Sequence, residues 1–191
     1  TLEAVTYRDA VAKVADRLSA AGTSGKGDVR FLVSAHASHE EFFLLRRLTD
    51  ELLGAEGVKT VAVSWRTAPK EQPERTKFKV PAVDAPNVHG ARLFGFVPGA
   101  VGDAQGPADV SALRAAVDAG SVAALYVFDP GPDGTIGDTS WIIAARQSGK
   151  LPLLVVQGVL MTDLARAADF VLPGASFVEK DASYTNDKGL L

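Results

Sequence analysis

Apolar residues along this chain gather in short dense runs, separated by segments in which they recur every three to four positions. The dense runs are Val29 to Ser34, Val58 to Ser64, Val122 to Phe128 and Leu151 to Val156, with a shorter fifth at Phe170-Val171-Leu172, closed by Pro173-Gly174. Short runs rich in β-branched residues and bounded by turn formers read as strands buried on both faces. The intervening periodicity reads as helices. Thr6-Tyr7-Arg8-Asp9 opens one that carries Ala10, Val11, Val14, Ala15 and Leu18 on a common side as far as Ala21. Ser38-His39-Glu40-Glu41 forms a capping box before a second, with Phe42, Leu45, Leu48 and Leu52 and an end at Gly54. A third spans Ala108 to Ala119, a fourth follows Asp138 or Thr139 with Trp141 to Ala145, and a short fifth covers Leu164 to Ala168. Strands alternating with helices predict a doubly wound, mostly parallel five-stranded α/β sheet in a single domain over 1–191.

Two stretches break this rhythm. Gly22 to Gly27 contains Gly and Lys, but no strand precedes it and Asp28 replaces the Ser/Thr of a phosphate-binding loop, so it reads as a connection. Residues 65–107 are punctuated by Pro69, Pro73, Pro81, Pro86 and Pro98 and mix charges without helical period; they are expected to cross the core as an ordered irregular excursion. Downstream, Ser176-Phe177-Val178-Glu179 has the form of another capping box, and Ser183, Thr185 and Asn186 are turn formers.

Composition narrows the function classes. Of 191 residues 47% are hydrophobic and 23% charged, values of a globular chain, and the net charge of -3 offers no footprint for nucleic acid. No apolar run reaches the roughly 18 residues of a membrane span, so no direct membrane insertion is expected. There is no Cys, which excludes disulfides and cysteine-held iron-sulfur clusters within these residues. The chain starts at Thr1 without Met and is expected to be a fragment of a longer polypeptide.

Candidate chemistry sits where strands end, since open α/β sheets bind ligands beyond the carboxyl ends of their strands. That places Ser34 and His36 after the first strand, Asp129 and Gly131 after the third, and Gln157 and Thr162 after the fourth. The strand, loop and helix start around Ser38 would offer backbone donors to an anion. His36, His39, Glu40 and Glu41 lie close in sequence, yet no further ligands complete a zinc pattern, so no metal site is assigned. Ser34, Ser38 and His36 lack a nucleophile elbow, and no catalytic residue is assigned. Asp129 is equally a turn former and a ligand contact.

The segment from Ala168 to Gly189 resembles the A-D-x-V-L-P-x-x-x-x-x-E-x-x-G-x-x-x-N-x-x-G signature of the molybdopterin oxidoreductase superfamily. Ala168, Asp169, Val171, Leu172, Pro173, Glu179, Asn186 and Gly189 match, and Ala182 departs where Gly is usual. Asn87-Val88-His89-Gly90-Ala91 is similar to an Asn-x-x-Gly-Ala turn of that family, Val155, Gln157 and Thr162 to its V-x-Q-x-x-x-x-T segment, and Asp129-Pro130 to the end of its Gly-x-Asn-Pro loop. The resemblance implies a formate dehydrogenase type of domain, flavodoxin-like or Rossmann-like, with strand order 2-1-3-4-5. It is greatest toward the C-terminal region of the large iron-sulfur subunit of bacterial NADH:quinone oxidoreductase. There the domain would be a scaffold without a redox centre. It would be partnered by the rest of its parent chain and other respiratory-complex subunits, at the cytoplasmic inner face of the cell membrane, with iron-sulfur clusters elsewhere in the parent chain. The alternative is a cofactor domain of a molybdenum enzyme such as formate dehydrogenase, in which the six candidate residues would hold molybdopterin guanine dinucleotide. A receiver-like module is a third reading, and Ser34-Ala35-His36 lacks the acidic cluster it needs.

Overall fold

The computed structural model describes residues 2–25, 27–52, 57–97, 109–186 and 188–191. Helix α1 (Tyr7–Thr23) precedes β1 (Asp28–Val33), and α2 (His39–Leu52) crosses to β2 (Val61–Val63). After a long excursion containing α3 (Val88–Leu93), α4 (Val110–Asp118) leads to β3 (Val122–Phe128). Then α5 (Ser140–Gln147) leads to β4 (Leu154–Gly158), and α6 (Asp163–Ala167) to β5 (Phe170–Pro173). All strand pairs are parallel and the order is β2-β1-β3-β4-β5, as the resemblance implied.

The predicted strands hold, with β1 and β5 within one residue of expectation and two larger changes of boundary. β2 is only three residues, because Gly57–Thr60 is a 3₁₀ turn closed by the Thr60 hydroxyl donating to Gly57 O. β4 begins at Leu154 rather than Leu151. Leu151 N donates to Ala145 O at the end of α5, and Pro152 has no N–H to give a ladder, so these two residues finish the helix instead. The strand gains Gln157 and Gly158, which pair with Leu172 and Pro173 on the edge strand. The Ser176-x-x-Glu179 box forms a closed turn and no helix: Glu179 accepts from Ser176 N and Oγ, while Glu179 N donates to Ser176 O. The expected helix end at Gly54, Pro98, the end of the excursion and the helix start at Ala108 lie outside the described residues.

Each sheet face carries its own core. On one, Leu113 and Val117 of α4, Ile142 of α5 and Leu164 of α6 cover Leu32, Leu125, Val127, Leu154 and Val156. On the other, Phe42 and Leu45 of α2 cover Phe31, Val33, Val61 and Val63, while Ala10 and Val14 of α1 cover Ala124, Val155 and Leu172. No helix of the described residues is long and apolar enough to cross a membrane.

Asp169, from the resemblance motif, fastens the last βαβ unit. Its carboxylate accepts from Arg146 Nε at 2.7 Å, from a second guanidinium nitrogen, and from Leu154 N at 2.8 Å; its own N–H donates to Leu154 O at 2.9 Å. Burial, the largest influence on this carboxyl, pushes its pKa up, but Arg146 and the Leu154 N–H outweigh it and hold the pKa below the ordinary value. Asp169→Ala should cost about 2–3 kcal/mol near neutral pH, because Arg146 and Leu154 N both lose their acceptor. Because the folded-state pKa is depressed, this stabilisation is present above the unfolded value and lost as pH falls through the folded one. Denaturant titrations of both proteins should therefore converge in acid; a constant difference at all pH values would refute the charge contribution.

Candidate functional site at the carboxyl end of the sheet

The chain leaves β1 toward α2 on one face and reaches β3 through α4 on the other, so the gap between the carboxyl ends of β1 and β3 is the topological switch point. Parallel register brings Val33 beside Phe128, and the next residues of each strand therefore meet. Ser34 N donates to Phe128 O, and the buried Ser34 hydroxyl donates to the Asp129 carbonyl. Ser34 Oγ also accepts from His36 N at 3.1 Å and lies 3.1 Å from His36 Nδ1. Its single proton is committed to Asp129, so the ring contact needs the hydrogen on Nδ1.

The His36 ring lies directly on Gly131. A Cβ there would come within 2.6 Å of Nε2 and 2.7 Å of Nδ1, and Gly131 has φ +68°, so glycine is required both by space and by backbone. Burial lowers the His36 pKa, opposed by the Asp84 carboxylate, and keeps the ring neutral at pH 7. Asp129 turns the chain at φ +44° and donates its N–H to Gln157 O at 2.8 Å. Burial, helped by the negative Glu41 and opposed by Lys180, raises the Asp129 pKa to about 6.

Four of the six residues named from sequence thus form one cluster: Ser34, His36, Asp129 and Gly131. Gln157 joins it only through its carbonyl, since its side chain accepts from the Tyr126 hydroxyl and lines a groove between α1 and α2. Thr162 caps α6, with Oγ1 accepting from Ala165 N at 3.2 Å, and borders Pro130 and Gly131 across a recess of about 10 Å³, room for one water at most.

The remaining part of the site comes from residues that sequence reading treated as local turn or cap formers. Glu41 closes the expected box with Ser38 and also accepts from Lys180 Nζ at 2.7 Å. Both Glu40 oxygens accept from Ser183 N, which leads the influences holding that carboxyl at a pKa of about 2, and His39 N donates to Ser183 O. Asn87 is fully buried: its N–H donates to Ala35 O, its amide to Ala37 O at 2.8 Å, and its Oδ1 accepts from Thr185 N at 2.9 Å. The Thr185 hydroxyl meets His39 Nε2 at 2.9 Å. Asn87 begins α3, and a Cβ on Gly90 would strike its side chain and His39, which accounts for the Asn-x-x-Gly spacing. The Asn-x-x-Gly-Ala stretch is thus a helix start, where sequence suggested a turn. Residues 180–185 form a strap over the start of α2, so the donors expected to face an anion are already engaged. Among the described residues no group of three or more His, Asp or Glu is placed to hold a metal.

Comparison with known proteins finds relatives of part of this chain. The molybdopterin oxidoreductase family model matches residues 99–191. A subunit of the NADH-quinone oxidoreductase of Rhizobium meliloti (strain 1021) is 35% identical over 82 residues, which is 43% of this chain and 9% of the relative. F420-dependent formate dehydrogenase 1 subunit alpha of Methanococcus maripaludis is 40% identical over 65 residues, or 34% of this chain. The F420-dependent formate dehydrogenase subunit alpha of Methanocaldococcus jannaschii is 39% identical over 62 residues, or 32% of this chain. The matches span 9% of the length of each formate dehydrogenase relative as well.

Two measurements test the cluster. Gly131→Ala should cost about 2 kcal/mol, and the same substitution in a His36→Ala background should cost measurably less, because the ring it strikes is gone; equal costs would show that the two do not touch. For Asp129, a folded pKa above the unfolded one means stability is fully present below the unfolded value and lost as pH rises toward about 6. At about 1.4 kcal/mol per unit, the loss between pH 3 and 7 is about 3 kcal/mol. Asp129→Asn should abolish that loss in denaturation curves taken across the interval.

Proposed function

With residues 99–191 in the molybdopterin oxidoreductase family, we propose that this chain is a domain of the large subunit of a respiratory NADH:quinone oxidoreductase, serving as a scaffold without a redox centre of its own. The observation that carries this reading is the self-filled switch point. A pterin dinucleotide laid across the ends of β1 and β3 would have to displace the His36 ring from Gly131, the Ser34 hydroxyl from the Asp129 carbonyl, and the strap from the start of α2. The residues present do not fit the group at that place. Gln157 and Thr162 are likewise engaged, one with Tyr126 and the other as the cap of α6. No cysteine-held cluster can form within these 191 residues, so electron transfer would run through other parts of the parent chain. In this role the domain works at the cytoplasmic face of the membrane, packed on the remainder of its chain and on other subunits of the assembly.

The second reading, a pterin-holding domain of a molybdenum oxidoreductase, is favoured by the two formate dehydrogenase alpha subunits, which are more similar per residue over shorter spans. Purified parent chain separates the two. The scaffold reading expects iron with neither molybdenum nor pterin. Stoichiometric molybdenum with pterin would overturn it and return Ser34, His36, Asp129, Gly131, Gln157 and Thr162 to ligand duty. Thr162→Val should lower stability by about 1 kcal/mol through loss of the α6 cap, with no change in pterin content; a drop in pterin would support the second reading.

A further inference from the structure

Between β2 and α3 the polypeptide leaves the body of the domain as an arm. Its limbs are joined at the base by Ala68 N to Ala82 O and Asp84 N to Arg66 O, each 2.9 Å, around an antiparallel bridge of Thr67 with Val83. Farther out, Gln72 clasps both limbs: its amide nitrogen donates to the carbonyls of Lys70 and Val80 at 3.1 Å, and its oxygen accepts from Val80 N at 3.0 Å. Lys70 pairs with Asp84 at 2.5 Å. Beyond the clasp, every residue from 71 to 79 is exposed, and Arg75 makes the turn at φ +57°. The arm keeps its shape by main-chain and amide hydrogen bonds and contributes nothing to either core beyond its base.

Its composition is opposite to that of the body. Residues 65–87 contain five Lys and Arg against three Asp and Glu, an excess of two positive charges, on a chain whose total is -3, so the remaining residues carry an excess of five negative ones. Arg75, Lys77 and Lys79 at the tip form no ion pair with any described carboxylate. Between the two lysines stands Phe78, 64% exposed although its backbone is fixed by its N–H bond to the Thr76 hydroxyl. A large apolar ring held in water between unpaired cations satisfies nothing inside the domain.

We propose that this arm docks onto a separate subunit, at a surface rich in carboxylates with an apolar recess that takes Phe78. The sign asymmetry steers the encounter: an acidic surface is repelled by the body and attracted to the arm, which fixes the orientation of approach. Aromatic anchors flanked by cations are the kind of side chain that dominates such contacts. Glu71 and Glu74 on the same arm would oppose a phosphate-dense surface, so a mixed protein surface is the better complement than lipid or nucleic acid. The inference rests on the reading of this chain as part of a multisubunit assembly.

The test uses the full parent chain in its native host, with photoreactive benzoylphenylalanine in place of Phe78. The expected result is a cross-link to one segment of one co-purifying subunit, rich in Asp and Glu. The triple variant Arg75→Glu, Lys77→Glu, Lys79→Glu should lower recovery of that subunit at least tenfold, and Lys77→Gln with Lys79→Gln by a smaller factor. The melting temperature of the parent chain should not move in either variant, since the tip of the arm packs on no core. Four results would overturn the proposal: cross-links confined to the parent chain or to a second copy of it, recovery unchanged in the triple variant, a parent chain that purifies with no other subunit, or Phe78-dependent flotation with phosphatidylglycerol vesicles. Iron, molybdenum and pterin are measured on the same preparation, so the scaffold reading can fail while the arm docks, and the arm can fail in a cofactor-free scaffold.

Discussion

The pairing of β1 with β3 is the contact on which the rest of this domain depends. It runs from Asp28 beside Val122 to Val33 beside Phe128 and joins strands separated by α2, β2, α3, the arm and α4. Closing so much chain costs conformational entropy that only the completed sheet returns, through burial on both faces. Both cores are anchored in these strands: Leu32, Leu125 and Val127 face α4, α5 and α6, while Phe31 and Val33 face α2. The same register forces Ser34 and Asp129 together, so the geometry of the candidate site follows from the core and needs no separate cause.

That enforced proximity explains why the switch point is filled from within. With β1 and β3 in register, the buried Ser34 hydroxyl has an acceptor in the Asp129 carbonyl, a polar contact whose loss would strand its partner, and the half-buried His36 ring packs flat on Gly131. The strap closes the other side by satisfying Glu40, Glu41 and Asn87 at once. Several residues that carry the family resemblance thereby have sufficient structural work. Asp169 holds Arg146 and Leu154, Thr162 caps α6, and Asn186 organises the turn to Lys188 and Leu190. A motif of this sort specifies the fold of the family whether or not a ligand is retained, so its presence is no argument for cofactor binding.

The sheet was legible because its strands are continuous apolar runs, a pattern that few alternatives share; β3 was placed to the residue. Strand ends were less legible where backbone donors had competing partners, as at Leu151, which serves α5, and at residues 57–60, which coil before β2. In the site, Ser34, His36, Asp129 and Gly131 could be named together because strand order alone brings them close. Lys180, Ser183 and Thr185 could not be joined to Glu41, Glu40 and His39, nor Asn87 to Thr185, because their spacing in sequence encodes only local turns while their partners lie across the fold. The direction of the Gln157 side chain was not legible for a related reason: period-two alternation tells that successive residues face opposite sides of a sheet, but which side receives an amide depends on Tyr126 of the neighbouring strand.

The distribution of apolar surface bears on what such a domain is for. At the carboxyl end of the sheet the polar groups of Ser34, Glu40, Glu41 and Asn87 have partners within the chain. On the outside, the exposed apolar residues include Phe78 on the basic arm, and Leu160, Met161, Phe177 and Val178 in the segments after β4 and β5. Neither group is tied to the interior, so their identity is under no constraint from folding, and apolar side chains in unconstrained exposed positions are costly to solubility unless something covers them.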